Sequence, residues 1–314
     1  MFARKIFKLR LAKRTLVLGR KTLVMGVVNI TPDSFSDGGK FFSPQRAIQH
    51  ALALEKAGAD ILDIGAESTR PGAAEISVVE ELRRLLPVLQ ALRGKIKISI
   101  SVDTRKSLVA EIALGAGAEI INDVSALRFD PYIADVVADK QCALILMHMR
   151  GEPGTMQTIS FAKNVVQDVT KDLRAAIAVA RKAGVPKSQI LLDPGIGFGK
   201  SFPQNYELIR RLPEIAKLGY PVVVGTSRKA FLGHTLALAK EGAFDDLAKH
   251  SARAGASAKL ATLRSKKPVA SEGRLLATAA TVAASILAGA HIVRVHDVAE
   301  IAQVAAVTDR VLDS

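Results

Sequence analysis

The sequence is poor in cysteine and has no long apolar run. Cys142 is the only cysteine among 314 residues, which excludes an internal disulfide. It stands in the run CALILMH, where a buried core residue is a better interpretation than a nucleophile. No run approaches the roughly 20 apolar residues that span a bilayer, and residues 1–15 lack the apolar segment of a signal peptide. We therefore expect a cytoplasmic protein with no membrane partner.

Aromatic and acidic residues are also scarce. Tryptophan is absent and aromatic residues make up 4% of the chain, which leaves little surface for stacking nucleic-acid bases. The net charge is +14, but residues 1–22 carry eight Lys or Arg and no acid, and residues 240–274 carry eight against four acids. The remainder is close to neutral. We expect no nucleic-acid partner, with an RNA-contacting N-terminal arm as the alternative.

Apolar residues make up 49% of the chain and recur in a regular pattern from Leu23 onward, where short β-branched runs alternate with stretches of helix length. Continuous apolar runs are typical of parallel strands buried on both faces. The eight predicted strands are LVMGVV (23–28), DILDIG (60–65), IKISIS (96–101), EIINDV (119–124), ALILMH (143–148), QILLD (189–193), PVVVG (221–225) and HIVRV (291–295). Between the first two, Ser43 and Pro44 indicate the N-cap and first residue of a helix that stops at Gly58.

Eight such units predict an α/β fold, a (β/α)8 TIM barrel forming a single domain over residues 1–314. A doubly wound open sheet is the alternative, but it would more often show a glycine-rich dinucleotide turn after its first strand. Residues 1–22 partly alternate apolar and polar side chains, which predicts an N-terminal β-hairpin at the bottom of the barrel. Residues 239–270, rich in Ala, Lys and Gly, are interpreted as an insertion in the seventh β/α unit.

Polar residues follow nearly every predicted strand, and in a parallel barrel these positions converge on one face. They are Asn29, Glu67 to Arg70, Asp103, Asn122 and Asp123, His148, Asp193, Ser227 to Lys229, Arg294 and His296. A single acid after a strand is often only a helix N-cap. The joint pattern over eight strands, however, predicts a shared site.

Two subsets of these residues suggest what the site binds. Asn29, Asp33 and Asp37 share the long loop NITPDSFSDGG, and such hard oxygen ligands suit magnesium held jointly with a substrate phosphate. A second subset is cationic and favours an anion, although pairing with Asp103, Asp123 and Asp193 in a structural network is the alternative. Its members are Arg70, Arg228, Lys229, Arg294 and His296. The segment DPGIGFGKS has one residue too few between its glycines for a Walker loop, which excludes an NTPase on this motif.

Seven motifs occur in a fixed order along the chain: MGVVNITPDSFSDGG, GAESTRPGA, SVDT, INDVS, LDPGIGFGK, GTSRKAFLG and RVHDV. In this order and after these strands, they resemble the motifs of the dihydropteroate synthase family. The resemblance runs from about Leu23 to the C terminus, apart from residues 239–270. The resemblance implies a magnesium-dependent transferase of folate biosynthesis. Such an enzyme joins (7,8-dihydropterin-6-yl)methyl diphosphate to 4-aminobenzoate, releases pyrophosphate and 7,8-dihydropteroate, and is the target of sulfonamides.

The resemblance also implies roles for individual residues. Asn29 would be the protein ligand of magnesium. Arg70, Arg294 and His296 would hold the diphosphate, and Asp37 with Phe35 would fold over the reacting pterin. The implied pterin pocket consists of Asp103, Asn122, Asp193 and Lys229, with Met147 and Arg294 on either face of the ring. The implied aminobenzoate side consists of Thr69, Pro71, Phe198 and Ser227.

The family resemblance also implies a homodimer built through the last helices of the barrel, and the 239–270 segment puts that contact in doubt here. Two rival functions stay open. A corrinoid-type pterin-binding methyltransferase would keep the acids but has no diphosphate to hold, so the cationic residues argue against it. A basic nucleic-acid-binding protein that has lost catalysis is disfavoured by the intact motifs and the scarcity of aromatic residues.

Overall fold

The computed structural model describes residues 4–31, 44–68, 73–152, 156, 160–240 and 269–314. Strands β1 (Phe7–Arg10) and β2 (Thr15–Leu18) form an antiparallel hairpin, as predicted. The eight predicted barrel strands are all present. They are β3 (Leu23–Asn29), β4 (Ile61–Gly65), β5 (Ser99–Asp103), β6 (Ile120–Asp123), β7 (Ala143–Met147), β8 (Ile190–Asp193), β9 (Val223–Val224) and β10 (Ile292–Val295).

These eight strands are parallel and lie in the order β8-β7-β6-β5-β4-β3-β10-β9. A bridge between Leu192 and Val222 joins the two ends of the sheet, and the Leu192 amide donates to Pro221 O at 3.0 Å. The sheet therefore closes into the barrel that the alternating pattern predicts, and the open-sheet alternative is wrong.

Strand β5 begins three residues later than predicted, the largest shift among the eight strand starts. Residues 96–98 belong to the predicted third barrel strand, yet β5 starts only at Ser99. The carboxylate of Glu55 accepts the backbone N–H groups of Lys97 at 2.7 Å and Ile98 at 3.2 Å, and Arg14 donates to Lys97 O at 2.7 Å. Because side chains satisfy these backbone groups, they do not enter the sheet ladder.

Helices follow the barrel strands and pack around them. They are α1 (Pro44–Lys56), α2 (Val78–Leu92), α3 (Ser107–Gly115), α4 (Ile133–Lys140), α5 (Val165–Lys182), α6 (Phe202–Arg210), α7 (Leu212–Ala216), α8 (Ala230–Lys240), α9 (Leu275–Leu287) and α10 (Val298–Asp313), with 3-10 turns at Lys187–Gln189 and Ser271–Arg274. Helix α1 begins at Pro44 as predicted and gives way to Gly58, whose φ of +102° lets the chain turn out of the helix. Its predicted N-cap, Ser43, lies outside the described residues, as does most of the predicted insertion.

The core has two layers. The larger one lies between the sheet and the helices, and the smaller one fills the lower half of the barrel. Leu9, Leu11 and Leu18 of the hairpin pack into the smaller layer, which explains why the hairpin covers the bottom of the barrel. Cys142 is buried, and burial raises the pKa of its thiol to about 12, as expected for an unreactive core residue. In the described part of the chain, no helix has the length and apolar composition to cross a membrane.

Candidate active site

The upper half of the barrel is lined by polar side chains instead of apolar ones. Because strand residues alternate between faces, every second residue of each strand points inward. Asn29, Asp103, Met147 and Asp193 are the last residues of their strands, and Arg294 lies near the end of β10. The expectation that these residues meet at one end of the barrel agrees with their positions at the carboxyl ends of five strands.

Arg294 is the centre of a buried hydrogen-bond network. Its Nε donates to Asp63 Oδ2 at 2.6 Å, and its Nη2 donates to Asp103 Oδ2 at 3.1 Å. Asp63 Oδ2 also accepts from Asn122 Nδ2 at 3.1 Å. Arg294 thus pairs with acids inside the protein, which was the alternative to an anion site. Its partners are Asp103, as that alternative expected, and Asp63, but neither Asp123 nor Asp193. Two carboxylates hold the guanidinium plane in place, which suits a group that stacks on a flat ring.

Sequence reasoning missed Asp63. It is fully buried, and its Oδ1 makes no hydrogen bond among the described residues. The available signal was an acid in the middle of an otherwise apolar strand, ILDIG. A buried carboxylate needs a partner, so such an acid in a predicted barrel strand points to a cation inside the barrel.

Burial sets the protonation of Asp103. It raises the pKa of the Asp103 carboxyl to about 8, with a further increase from the nearby Asp63, although Arg294 opposes the shift. Burial therefore favours the protonated form of Asp103 in the unbound protein. In that form it can donate a hydrogen bond as well as accept one.

Asp193 and Lys229 face the same space but form no salt bridge with each other in the described structure. Asp193 Oδ1 accepts the Gly195 amide at 2.7 Å, and burial raises the Asp193 pKa to about 6. Burial lowers the pKa of Lys229 to about 8, and Arg294 lowers it further. The Lys229 Nζ lies 3.9 Å from the centre of the Phe198 ring, a cation–π contact. One acceptor and one donor are therefore available to a bound molecule.

Ser227 and His296 are joined at the ends of the neighbouring strands β9 and β10. Ser227 Oγ accepts the His296 amide at 3.2 Å and lies 3.0 Å from its Nδ1. Burial lowers the pKa of His296 to about 3, and Arg294 adds to the effect, so the imidazole is neutral at pH 7. Next to Ser227, Arg228 has a φ of +59° and pairs with Asp297. His296 can therefore donate a hydrogen bond to an anion but does not supply the positive charge expected from the sequence.

Apolar side chains form one wall of the site. Val124, Met147, Met149 and Met156 make a buried cluster against which Phe198 packs. Flexible, polarisable methionine side chains suit contact with an aromatic ring. Met147 thus lies in this cluster beside Phe198, and its contact with a pterin ring stays a prediction.

Asp123, in contrast, is a turn cap. Its Oδ1 accepts from the Ser125 amide at 2.8 Å and the Ser125 hydroxyl at 2.6 Å, and its Oδ2 accepts the Leu127 amide at 2.6 Å. These bonds stabilise a turn in which Ala126 and Leu127 have positive φ. Both oxygens of Asp123 are thus used within its own loop.

Several predicted site residues cannot be placed. Phe35, Asp37, Thr69, Arg70 and Pro71 lie outside the described residues, so their roles stay predictions. Just before Thr69 in the chain, the carboxylate of Glu67 accepts from Lys106 at 2.8 Å and Arg105 at 3.2 Å. Lys106 also donates to the buried Glu81 at 2.7 Å. This network fixes the end of β4 against the start of α3.

Asn29 offers one amide oxygen as a metal ligand. It is half-buried at the end of β3, and no group of three or more His, Cys, Asp or Glu side chains suited to a metal ion occurs in the ranges that the structure describes. Magnesium often keeps several waters and binds through one or two protein ligands plus substrate phosphates. Asn29 fits that mode of binding.

The residues of the barrel and its mouth also match known proteins. Residues 25–296 match the family model described as pterin binding enzyme. This chain belongs to that family. Dihydropteroate synthase from Synechocystis sp. is 43% identical over 93% of this chain and 90% of its own length.

Solved structures agree with this membership. The crystal structure of the Yersinia pestis dihydropteroate synthase with a sulfonamide drug is 35% identical and has a TM-score of 0.84, covering 98% of this chain and all of that one. The Xanthomonas albilineans dihydropteroate synthase with 4-aminobenzoic acid is 38% identical with a TM-score of 0.82, over 99% and 100% of the two chains. The family resemblance carried by the seven motifs and the barrel predicted from the eight β/α units are both confirmed.

Proposed function

We infer that this chain is a transferase with dihydropteroate synthase activity, joining (7,8-dihydropterin-6-yl)methyl diphosphate to 4-aminobenzoate in folate biosynthesis. The observation that carries this conclusion is the 43% identity to a dihydropteroate synthase over nearly the whole of both chains. The products are 7,8-dihydropteroate and pyrophosphate. The donors and acceptors at the barrel mouth fit these substrates, as follows.

We propose that the upper barrel binds the pterin. Asp193 Oδ2 is available to accept N–H groups from the amino-pyrimidine edge, because only Oδ1 bonds to its own loop in the described chain. Lys229 would donate to the ring carbonyl, and the Asn122 side chain would add a further polar contact. The fixed guanidinium of Arg294 and the side chain of Met147 would lie on opposite faces of the ring.

The reaction replaces a carbon–oxygen bond with a carbon–nitrogen bond. The amine of 4-aminobenzoate is a weak nucleophile, so departure of pyrophosphate before attack would leave an electrophilic methylene carbon. The pterin ring would stabilise that cation, and the attacking amine would then lose a proton. Arg294, the neutral His296 and the predicted Arg70 would hold the diphosphate. This route requires no covalent intermediate with a side chain.

We propose Asn29 as the protein ligand of Mg²⁺ during turnover. The half-buried amide stands at the carboxyl end of β3, where a diphosphate and water would complete the coordination. The ion would neutralise charge on the leaving group. Asp37 and the other acid of the loop after β3 follow Asn29 closely in the sequence.

We further propose a homodimer that works in the cytoplasm. The supporting observation for the dimer is exposed apolar side chains on the last two helices: Leu276 is 82% exposed on α9 and Val307 is 67% exposed on α10, and Leu287 and Val311 are also exposed. Leu276 and Leu287 are three turns apart, and Val307 and Val311 are one turn apart, so each pair lies on one side of its helix. Burial against a second copy would remove this apolar area from water.

A coupled assay of pyrophosphate release tests the activity. Purified protein with Mg²⁺ and the pterin diphosphate should release pyrophosphate rapidly only when 4-aminobenzoate is added, and a sulfonamide should compete with 4-aminobenzoate. Mass spectrometry should identify dihydropteroate as the product. Pterin binding without 4-aminobenzoate-dependent release would show that the chain binds pterins but is not this transferase.

A further inference from the structure

One buried lysine beside the site has no role in the reaction described above. Lys200 lies between Gly199 and α6 and is only 7% exposed. Its Nζ is 2.9 Å from His148 Nδ1, 3.0 Å from Phe198 O and 3.1 Å from His148 O. Burial lowers the pKa of Lys200 to about 7, although Asp193 and Asp168 oppose the shift. In its charged form the amine has three N–H groups and no lone pair, so these three acceptors match it.

His148 is in the right state to accept. Burial lowers the pKa of its imidazole to about 2, with the charge of Lys200 as the next cause, so the ring is neutral. Its Nε2 lies 3.3 Å from Asp172 Oδ2 and 3.8 Å from Asp168 Oδ2. Carboxylates on that side favour the tautomer with the proton on Nε2, which leaves the Nδ1 lone pair for Lys200.

The loop before Lys200 lies directly on the chain that follows β7. A Cβ at Gly195 would be 1.8 Å from His148 O, and a Cβ at Gly199 would be 2.2 Å from Arg150 O. Both glycines have positive φ, 65° and 64°. Two backbones in such close contact leave little room for side chains that could hold them together, and the Lys200 side chain bonds to both segments.

The same loop carries a residue expected to contact substrate. Phe198 packs on the methionine cluster, and its ring centre lies 3.9 Å from the Nζ of Lys229. Lys200 bonds the carbonyl of Phe198 itself, so a shift at this bond moves the ring directly. Asp193 holds the other end of the loop through the Gly195 amide.

We propose that Lys200 is a positioning residue for 4-aminobenzoate, clamping the Gly195–Gly199 loop onto the segment after β7 so that the Phe198 ring is held at the aminobenzoate side of the site. This proposal rests on the proposed function. Lys200 does not touch the substrates. It acts through the Phe198 carbonyl, and its removal should loosen the second substrate more than the pterin.

The test compares Lys200→Met, which keeps the length and removes all three donors, with Lys200→Gln, which keeps two donors. Lys182→Met, an exposed lysine at the end of α5, is the matched control. Lys200→Met should raise the KM for 4-aminobenzoate about tenfold while kcat and the calorimetric Kd for the pterin diphosphate stay within threefold. Lys200→Gln should give a smaller rise, and the control should give none.

Hydrogen exchange gives a readout independent of activity. The amides of residues 195–199 should exchange faster in Lys200→Met than in wild type or the control. An unchanged KM for 4-aminobenzoate with unchanged exchange would overturn the proposal, as would an equal loss of affinity for both substrates. If Lys200→Met does not fold, the same comparison with Lys200→Gln decides. Absence of turnover in the wild type would refute the proposed function instead, and the exchange result would still test the clamp.

Discussion

Replacing Asp193 by Asn separates a role in pterin binding from a role in folding. The side chain is 5% exposed, and only Oδ1 is used by its own loop in the described chain. Asn preserves that acceptor for the Gly195 amide but places an N–H group where the pterin also offers N–H groups. Charge-assisted hydrogen bonds contribute about 1.5–3 kcal/mol, so affinity for the pterin diphosphate should fall roughly ten- to 150-fold.

The melting temperature should not fall with it. Burial raises the pKa of Asp193 from 3.8 to about 6, so the folded protein binds this proton more tightly than the unfolded chain. Stability from this group is therefore lost as the pH rises from about 4 to 6, and above pH 6 the ionised carboxylate disfavours folding. Asn removes that ionised group. Calorimetric titration at pH 8 measures the affinity, and differential scanning fluorimetry measures the melting temperature.

Asp123→Asn is the matched control. Both Asp123 oxygens already accept hydrogen bonds from Ser125 and Leu127, so Asn must lose at least one of them. That loss should cost about 1–3 kcal/mol of folding free energy and lower the melting temperature, with pterin affinity nearly unchanged. If the two variants behaved in the opposite way, the assignment of Asp193 to the pterin and of Asp123 to the turn would be refuted.

Four further outcomes are expected. EDTA should abolish turnover and Mg²⁺ restore it, whereas full activity in a verified metal-free preparation would contradict a metal requirement. Replacing residues 240–268 by a short linker should leave pterin affinity within roughly 1 kcal/mol of wild type, because the segment lies outside the motifs; a folded deletion protein that no longer binds would refute this. Pterin affinity measured against pH should be bell-shaped: it falls below about pH 6 as Asp193 gains a proton and above about pH 8 as Lys229 loses one. Asp103→Asn should weaken pterin binding less than Asp193→Asn at pH 7, since burial favours the protonated form of Asp103, and an equal loss would show that Asp103 binds as a carboxylate.

The barrel could be predicted from the sequence because its determinants are local. Each apolar run predicts a strand buried on both faces, and each polar residue after it predicts a position at the mouth of the barrel. Asn122, Asp193 and Arg294 were found in this way. The late start of β5 could not be found, because it depends on Glu55, more than 40 residues earlier in the chain.

The partners inside the barrel could not be predicted for the same reason. Asp63 on β4 and Arg294 on β10 are 231 residues apart in the sequence. They meet because both strands pair with β3. Lys200 follows a glycine motif that first had to be distinguished from a phosphate loop. Its acceptors are two backbone carbonyls and the Nδ1 of His148, and the sequence does not show that these groups meet Lys200.

Charge is the property that burial changes most between the sequence and the folded site. By residue type alone, Arg294 and His296 are cations that favour a bound anion, and Asp103 is an anion. In the fold, His296 is neutral, burial favours the protonated form of Asp103, and Arg294 is paired with Asp63. Additional positive charge for a diphosphate would therefore come from groups such as the predicted Arg70 and the metal, while the charges inside the barrel largely balance. A neutral interior with fixed donors and acceptors suits an uncharged pterin ring, and it keeps the charged leaving group at the mouth, where water can receive it.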